Sequence, residues 1–498
     1  MKRALRLVVL GFALIAPAAA DAKTIAVAAG GDLQAALNAA LPGDVVTLEA
    51  GATFTGNFTL PVKAGTSTSY ITVRSSAADS TLPASTARIT PSYAAQLPKI
   101  VGADTGPAIR TAARAAYWRL QFLEIVANSS GSGDIVQFGS SSETVAANQA
   151  HHLIADRVYV RGRADKGAKR GIALNSGNAM IRGSWFEQIK STTQDTQAIC
   201  GWNGPGPYLI ENNYLNAAAE NIMFGGADPA TPNLVPSDIQ ILRNTFTKDL
   251  TWRNSAWIVK NLFELKNARR VLVESNRFEN SWAEDQKGYA IVLTPVQGGK
   301  APWTVVEDVT IRYNRFDHVA GGLNVSGRDR TYGSKITARI LFEHNLLTDV
   351  KKATWGGHGS LAVIGNGAED VVLDHNTIDH DGFVVNGNGS PAMVRFVFTN
   401  NLHRHNTDGI YGDGLGAGMQ SITKYFPGAE IRRNAFFGGS ASKYPADNFF
   451  VTAAEFLNHF AGPSTGNWAL ASSSPFNDAG TDVKDLGVNT SLLAAVPK

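Results

Sequence analysis

One cysteine, Cys200, stands in 498 residues, so no internal disulfide closes a loop and stability must come from packing. Charge is scarce as well: 17% of residues are charged, with a formal balance of +3. Lys2, Arg3, Arg6 and Asp21 sit in the first 22 residues, which leaves the remainder near +1. There is no basic excess to hold nucleic acid or an anionic membrane. Twenty prolines and 49 glycines are too few for a collagen-like or low-complexity chain. The 44% hydrophobic content excludes a disordered one. Past the N-terminus no apolar run approaches bilayer-spanning length, so no membrane insertion is expected. A phosphate-binding Gly-rich loop, a metal-type Cys/His spacing and a Gly-x-Ser-x-Gly elbow are all missing from the sequence.

The N-terminus reads as an export signal. Lys2, Arg3 and Arg6 precede an apolar stretch from Leu7 to Ala16, and Ala20-Asp21-Ala22 places small residues at a cleavage site after Ala22. The expected location is periplasmic or extracellular. Residues 23–498 are expected to form one domain.

What dominates that domain is a repeat: apolar, two residues, a polar residue, one residue, apolar. Its central polar residues are Ser184, Asn213, Asn244, Asn276, Asn314, Asn345, Asn376, Asn401 and Asn434. Their steps run 29, 31, 32, 38, 31, 31, 25 and 33, the spacing of a solenoid or array. Alternating apolar runs such as Ile172-Ala-Leu174, Phe263-Glu-Leu265 and Leu323-Asn-Val325 mark strands. Unequal steps fit coils with loops of different length better than propeller blades. Asn tolerates left-handed backbone angles, and its amide can bond the coils above and below, so the Asn series is read as structural. Leu33-Gln-Ala-Ala-Leu37 reads as a short helix N-capped by Asp32 and covering the open end of the solenoid (about residues 30–44), with an irregular C-terminal coil over about 450–498.

Leu33-Gln-Ala-Ala-Leu37, Pro42-Gly-Asp44 and Thr47-Leu48, followed by the Asn turns, resemble the right-handed parallel β-helix proteins of the pectate-lyase-like superfamily. The resemblance implies an all-β, single-stranded right-handed parallel β-helix. It covers polysaccharide lyases, glycoside hydrolases, epimerases, esterases and phage tailspikes, so fold does not fix reaction. In its lyases, Lys or Arg often serves as base, and calcium or a cationic or amide group neutralises the sugar carboxylate.

Outward residues of successive coils form ladders about 4.8 Å apart, along which a polysaccharide can lie. Strand parity places Asn175, Cys200, Trp202, Asn221, Lys260, Glu264, Lys266 and Asn324 on one outward face. The sharpest cluster is Lys260, Glu264 and Lys266. A lyase acting on a uronic-acid polymer needs carboxylate neutralisation, a base and an acid. Lys266 is expected as base, with a lowered pKa. Arg328 and Asn324 are expected to bind the carboxylate, and Lys260 or Tyr332 to act as acid. Arg330, Trp202 and Trp303 join Asn175, Asn221 and Tyr332 as expected substrate contacts. No cofactor is firmly implied, although Ca2+ remains open, with Asp228, Glu284 and Asp285 as loop ligands. The partner expected is an anionic polysaccharide, bound by a monomer.

Two further readings stay open: a hydrolase using Glu264 with Glu220 or Asp228, and a non-catalytic carbohydrate-binding solenoid. Gly357-His-Gly359 and Asn406-Thr-Asp408 resemble polygalacturonase fragments, but their order is reversed and the paired Asp is missing, so they are read as coincidental. His318, a lone histidine before the Asn324 strand, is a weaker candidate proton carrier.

Overall fold

The computed structural model describes residues 22–498. The export-signal reading falls almost wholly on residues outside that range. Three long sheets wind through the chain, with 14, 14 and 12 strands in the order the chain visits them, and every pairing within them is parallel. One coil illustrates the rest. His151–Asp156 lies in the first sheet, Tyr159–Arg161 in the second and Arg170–Asn175 in the third, and Gly177–Arg182 then re-enters the first. Each crossover returns the chain one strand further along the same sheet. This is a right-handed parallel β-helix, the hand that parallel crossovers take.

Inward side chains form one continuous apolar core from Val27 to Tyr444. Phe246, Phe278 and Phe316 stack at 4.4 and 4.8 Å between ring centroids on successive coils. Leu33–Ala39 is helical, Asp32 accepts a hydrogen bond from Ala35 N, and Leu33, Ala36 and Leu37 are buried in the core at its N-terminal end.

Between the first and second sheets the chain bends through the Asn repeat. Asn244 Nδ2 donates to Asn276 Oδ1 at 3.1 Å, and Asn276 Nδ2 to Asn314 Oδ1 at 3.0 Å. The same bond continues through Asn345, Asn376, Asn401 and Asn434 to Asn448. Each amide also donates to a carbonyl of the preceding coil, as Asn276 does to Ile241 O. These bonds satisfy backbone groups that the bend leaves unpaired. The left-handed backbone, however, belongs to the residue before each Asn: Arg243, Ser275, Tyr313, His344 and His375 have φ between +49° and +58°. Freed of that torsion, the Asn side chain can reach both neighbouring coils.

The C-terminal segment doubles back along the outside of the stack. Gly487 N donates to Asn400 O, and Val488 N to Thr377 Oγ1. Ala495 and Pro497 line a pocket with Arg182, Glu211 and Arg243, on coils far earlier in the chain. A second apolar cluster around Phe437, Phe456, Trp468 and Phe476 fixes this segment. Among the described residues no helix is long and apolar enough to cross a membrane.

Candidate functional site

The outer face of the third sheet carries the predicted charged cluster, but strict alternation misplaces part of it. At the entry to each strand two consecutive residues face inward. Ala198 and Ile199, Leu262 and Phe263, and Ala290 and Ile291 all lie in the core. This kink moves the preceding residues by one. Asn221 therefore points into the protein, where its Nδ2 donates to Leu215 O and Thr247 O. It is not a substrate contact. Asn175 is also fully buried, and its Oδ1 accepts from the Trp202 and Asn203 amides. It shapes a turn and is unavailable to a ligand.

The same kink brings out a row that alternation hides. Asp134, Arg170, Gln197 and Glu220 stand in register on four successive coils. Arg170 Nη1 donates to Asp134 Oδ1 at 3.2 Å and its Nε to Gln197 Oε1 at 3.0 Å. Gln197 Nε2 donates to Glu220 Oε2 at 2.8 Å. Each polar member stands two residues before a β-branched core residue (Val136, Ile172, Ile199 and Ile222), the sequence signal for this row. Cys200 lies beside it, fully buried; burial pushes its thiol up to about 11 despite the neighbouring Arg170, so it is no nucleophile.

Glu264 and Lys266 flank core residue Leu265, on the coil after Glu220. Lys266 Nζ lies 3.6 Å from Glu264 Oε1. Glu264 is only 3% exposed and Glu220 is fully buried. Oε1 of Glu220 and Oε2 of Glu264 are buried without a hydrogen-bond partner. Burial, followed by repulsion from Glu264, pushes the Glu220 carboxyl up to about 7. Burial also raises Glu264, against the pull of Lys266 and Lys260. For Lys266, burial would lower the ammonium, but Glu264, Glu220 and Asp195 together outweigh it and hold it above the ordinary lysine value. The expected lowered pKa is thus not found; the carboxylate neighbours prevail over desolvation. Lys260 turns aside and pairs with Asp195 at 2.6 Å.

On the following coils, Asn324 is half-buried in the Glu264 row, beyond Val292. Arg328 is half-buried, with a buried Nε that lacks a partner. It forms no bridge to Asp329, whose carboxylate instead accepts the amides of Gln297, Thr331 and Tyr332. Arg330 and Tyr332 are exposed on the same loop, and the Tyr332 ring lies over Gly299. Trp303 is pinned through Nε1 to Leu234 O at 3.0 Å, which makes it a loop anchor. Trp202 is half-buried beneath the Arg170 guanidinium, 4.7 Å from its ring centroid. His318 belongs to the second sheet, where it meets Asp349 at 2.7 Å, away from this face. Asn406 is structural, donating to His380 O and Gly382 O.

Calcium takes six to eight oxygen ligands. Glu220 and Glu264 offer two unpartnered oxygens, but the Lys266 ammonium already stands against Glu264 as the neutralising charge. Among the described residues no three His, Cys, Asp or Glu side chains converge on one point. Asp228 binds the Gly298 and Lys300 amides, Asp285 the Val259 amide, and Glu284 the Trp282 indole. These residues do not form a calcium site.

No family model and no curated protein sequence matches the chain. Solved structures do. An alginate lyase from Paenibacillus sp. str. FPU-7 is 14% identical with a TM-score of 0.33, and the match covers 82% of this chain and 99% of that one. The PL6 family alginate lyase AlyGC is 12% identical with a TM-score of 0.48, over 94% of this chain and 58% of that one. Pectate lyase Pel9A is 13% identical with a TM-score of 0.33, over 93% and 95%. At these identities the likeness concerns the fold.

Proposed function

We propose that this protein is an exported polysaccharide lyase that cleaves a uronic-acid polymer by β-elimination on the outer face of the third sheet. The observation that carries this reading is the Glu220–Glu264–Lys266 cluster. Three buried or half-buried ionisable groups on one face of a sheet cost stability, and such arrangements concentrate at functional sites. The structural neighbours bearing the names alginate lyase and pectate lyase agree with it in fold.

Lys266 is the group that meets the substrate. Its proton passes to Glu264, the adjoining carboxylate whose proton affinity burial has raised; the transfer is uphill, because the same neighbours strengthen Lys266 as a base, and it leaves a neutral amine facing the sugar. The amine removes the proton beside the uronate carboxylate, the glycosidic C–O bond to the next sugar breaks, and a ring C=C forms. The departing oxygen takes a proton from Lys260 or solvent. Glu220 beneath, although burial raises its own carboxyl to about 7, adds to the proton affinity of Lys266 and so favours the return of a proton to it. Arg328, with no carboxylate of its own, and Asn324 hold the substrate carboxylate.

The test is an ultraviolet absorbance time course of residues 23–498 on pectate, alginate, hyaluronan, chondroitin and glucuronan. The expected result is rising absorbance from unsaturated ends on one polymer, abolished by Lys266→Ala. New reducing ends without absorbance would instead establish a hydrolase using Glu220 and Glu264. Constant reducing ends and a flat trace on all five would overturn the enzymatic reading.

A further inference from the structure

Ahead of the Ser360–Gly365 strand, one loop histidine is held with unusual firmness. His358 lies between Gly357 at φ +64° and Gly359 at φ +58°. A Cβ on Gly357 would fall 2.3 Å from Lys287 O, and one on Gly359 would fall 2.0 Å from Asp381 Oδ1. Left-handed backbone at such close quarters admits only glycine. The loop is thereby clamped between the segments bearing Lys287 and Lys352.

Tyr289 fixes the imidazole itself, with its hydroxyl 2.6 Å from His358 Nδ1. The two residues are separated by a coil, and the ring spans it because Gly321 stands there in register. A Cβ at Gly321 would lie 2.7 Å from the Tyr289 ring. Burial raises the Tyr289 phenol far above its ordinary value, so it stays a neutral hydroxyl against Nδ1. Burial, then Lys287 and Lys352, lowers the His358 imidazole from its ordinary value, which favours the neutral form. In the tautomer in which the Tyr289 hydroxyl donates to Nδ1, the imidazole proton is on Nε2 and available to a ligand. His358 is half-buried, and Lys287 and Lys352 are exposed. One fixed imidazole and two flanking ammonium groups make a receiver for an anion.

We infer that His358, Lys287 and Lys352 form a second anion-recognising subsite, which takes a carboxylate or sulfate on the same polysaccharide chain that Lys266 engages. This rests on the proposed function. The strand after His358 is three coils beyond that of Lys266 in the third sheet, about 14 Å along the helix axis at the usual strand spacing. One sugar cannot reach both places. The occupant is a polymer charged at repeated positions, and affinity should rise with its length until both subsites are filled.

The test is calorimetric titration of the Glu264→Gln protein, which retains Lys266, with dimers and hexamers cut from the active polymer, and with hexamers of a sulfated glycan. Uronate hexamers are expected to bind at least tenfold more tightly than dimers. Lys287→Ala/Lys352→Ala and, separately, His358→Ala should reduce that ratio to within threefold of unity, with melting temperature as the check on folding. A stronger response to the sulfated hexamer would assign the subsite to sulfate. An unchanged hexamer-to-dimer ratio in both variants would overturn the inference while leaving the lyase reading intact. If no polymer is cleaved, the same titrations with oligomers from all five polysaccharides decide the subsite independently: length-dependent binding lost in the variants sustains it, and its absence from every series overturns it.

Discussion

Lys266 Nζ stands 3.6 Å from Glu264 Oε1, and neither group is free to take the bulk-water protonation behaviour of its residue type. Burial penalises both charges, yet each supports the other. A proton that moves from Lys266 to Glu264 converts an ion pair into two neutral groups without changing the net charge of the site. That relationship underlies the reaction proposed above.

Removing the acceptor should slow chemistry more than binding. Glu264→Gln is expected to lower kcat by about 100-fold or more, the usual scale of a lost proton-transfer group, with KM changed less than threefold. Steady-state kinetics on the cleaved polymer checks this. A large rise in KM with kcat preserved would make Glu264 a binding group.

Stability should depend on pH through Glu220. Its carboxyl is raised from 4.5 to about 7, so the folded chain holds more protons than the unfolded chain between those values. Stability from this group is present in acid and falls as pH rises through that window. Glu264 shifts in the same direction. The melting temperature should drop from pH 4.5 to pH 7, and Glu220→Gln should remove most of the drop. A variant that keeps the wild-type slope would assign the effect elsewhere.

Lys248 holds the corner next to this site. Its Nζ donates to Ala217 O, Ala218 O, Ala219 O and Asn261 O at 2.7–3.1 Å, fully out of water. Lys248→Met leaves these carbonyls without their shared donor. The expected loss is at least about 3 kcal/mol in urea unfolding. A loss below 1 kcal/mol would mean that water or backbone movement replaces the ammonium (about 1 kcal/mol being the net value of one hydrogen bond).

The Asn ladder should behave as a chain of dependent bonds. Asn276→Ala removes the donor to Ile241 O and the acceptor for Asn244. About 2–4 kcal/mol should be lost, from roughly 1–3 kcal/mol per buried group left unsatisfied. Asn276→Ala and Asn314→Ala together should depart from additivity, since the two amides bond each other. Strict additivity in urea melts would contradict the ladder's coupling.

Chelation should leave activity within twofold of the untreated enzyme, because Arg328 and Asn324 take the substrate carboxylate that calcium would otherwise neutralise. Assays with EDTA and with millimolar calcium check it. Loss of activity in EDTA, restored by calcium, would require ligands beyond Glu220 and Glu264.

Much of this architecture was legible from residue types. The nine-member polar repeat marks the bend between the first and second sheets, and alternation around Phe263–Leu265 places Glu264 and Lys266 on one outer face. The row from Asp134 to Glu220 was not legible by alternation, because one extra inward residue at each strand entry reverses the parity of everything before it. Asn221 was misread for that reason. Asn175 was misread because an outward position next to a turn can be consumed by the turn's own amides.

The spacing of polar turns and the two-residue apolar period determined a coiled, parallel β fold, since both are local properties of the chain. The tertiary structure decided what each charge does. Whether Lys266 is a base or an acid at rest depends on Glu264 beside it and Glu220 one coil away, and on the water that packing excludes from all three. Likewise, only the stacking of coils reveals that Gly321 opens the path from Tyr289 to His358, residues 69 positions apart in sequence. Proton affinity and reach are set by neighbours in space, which local sequence does not encode.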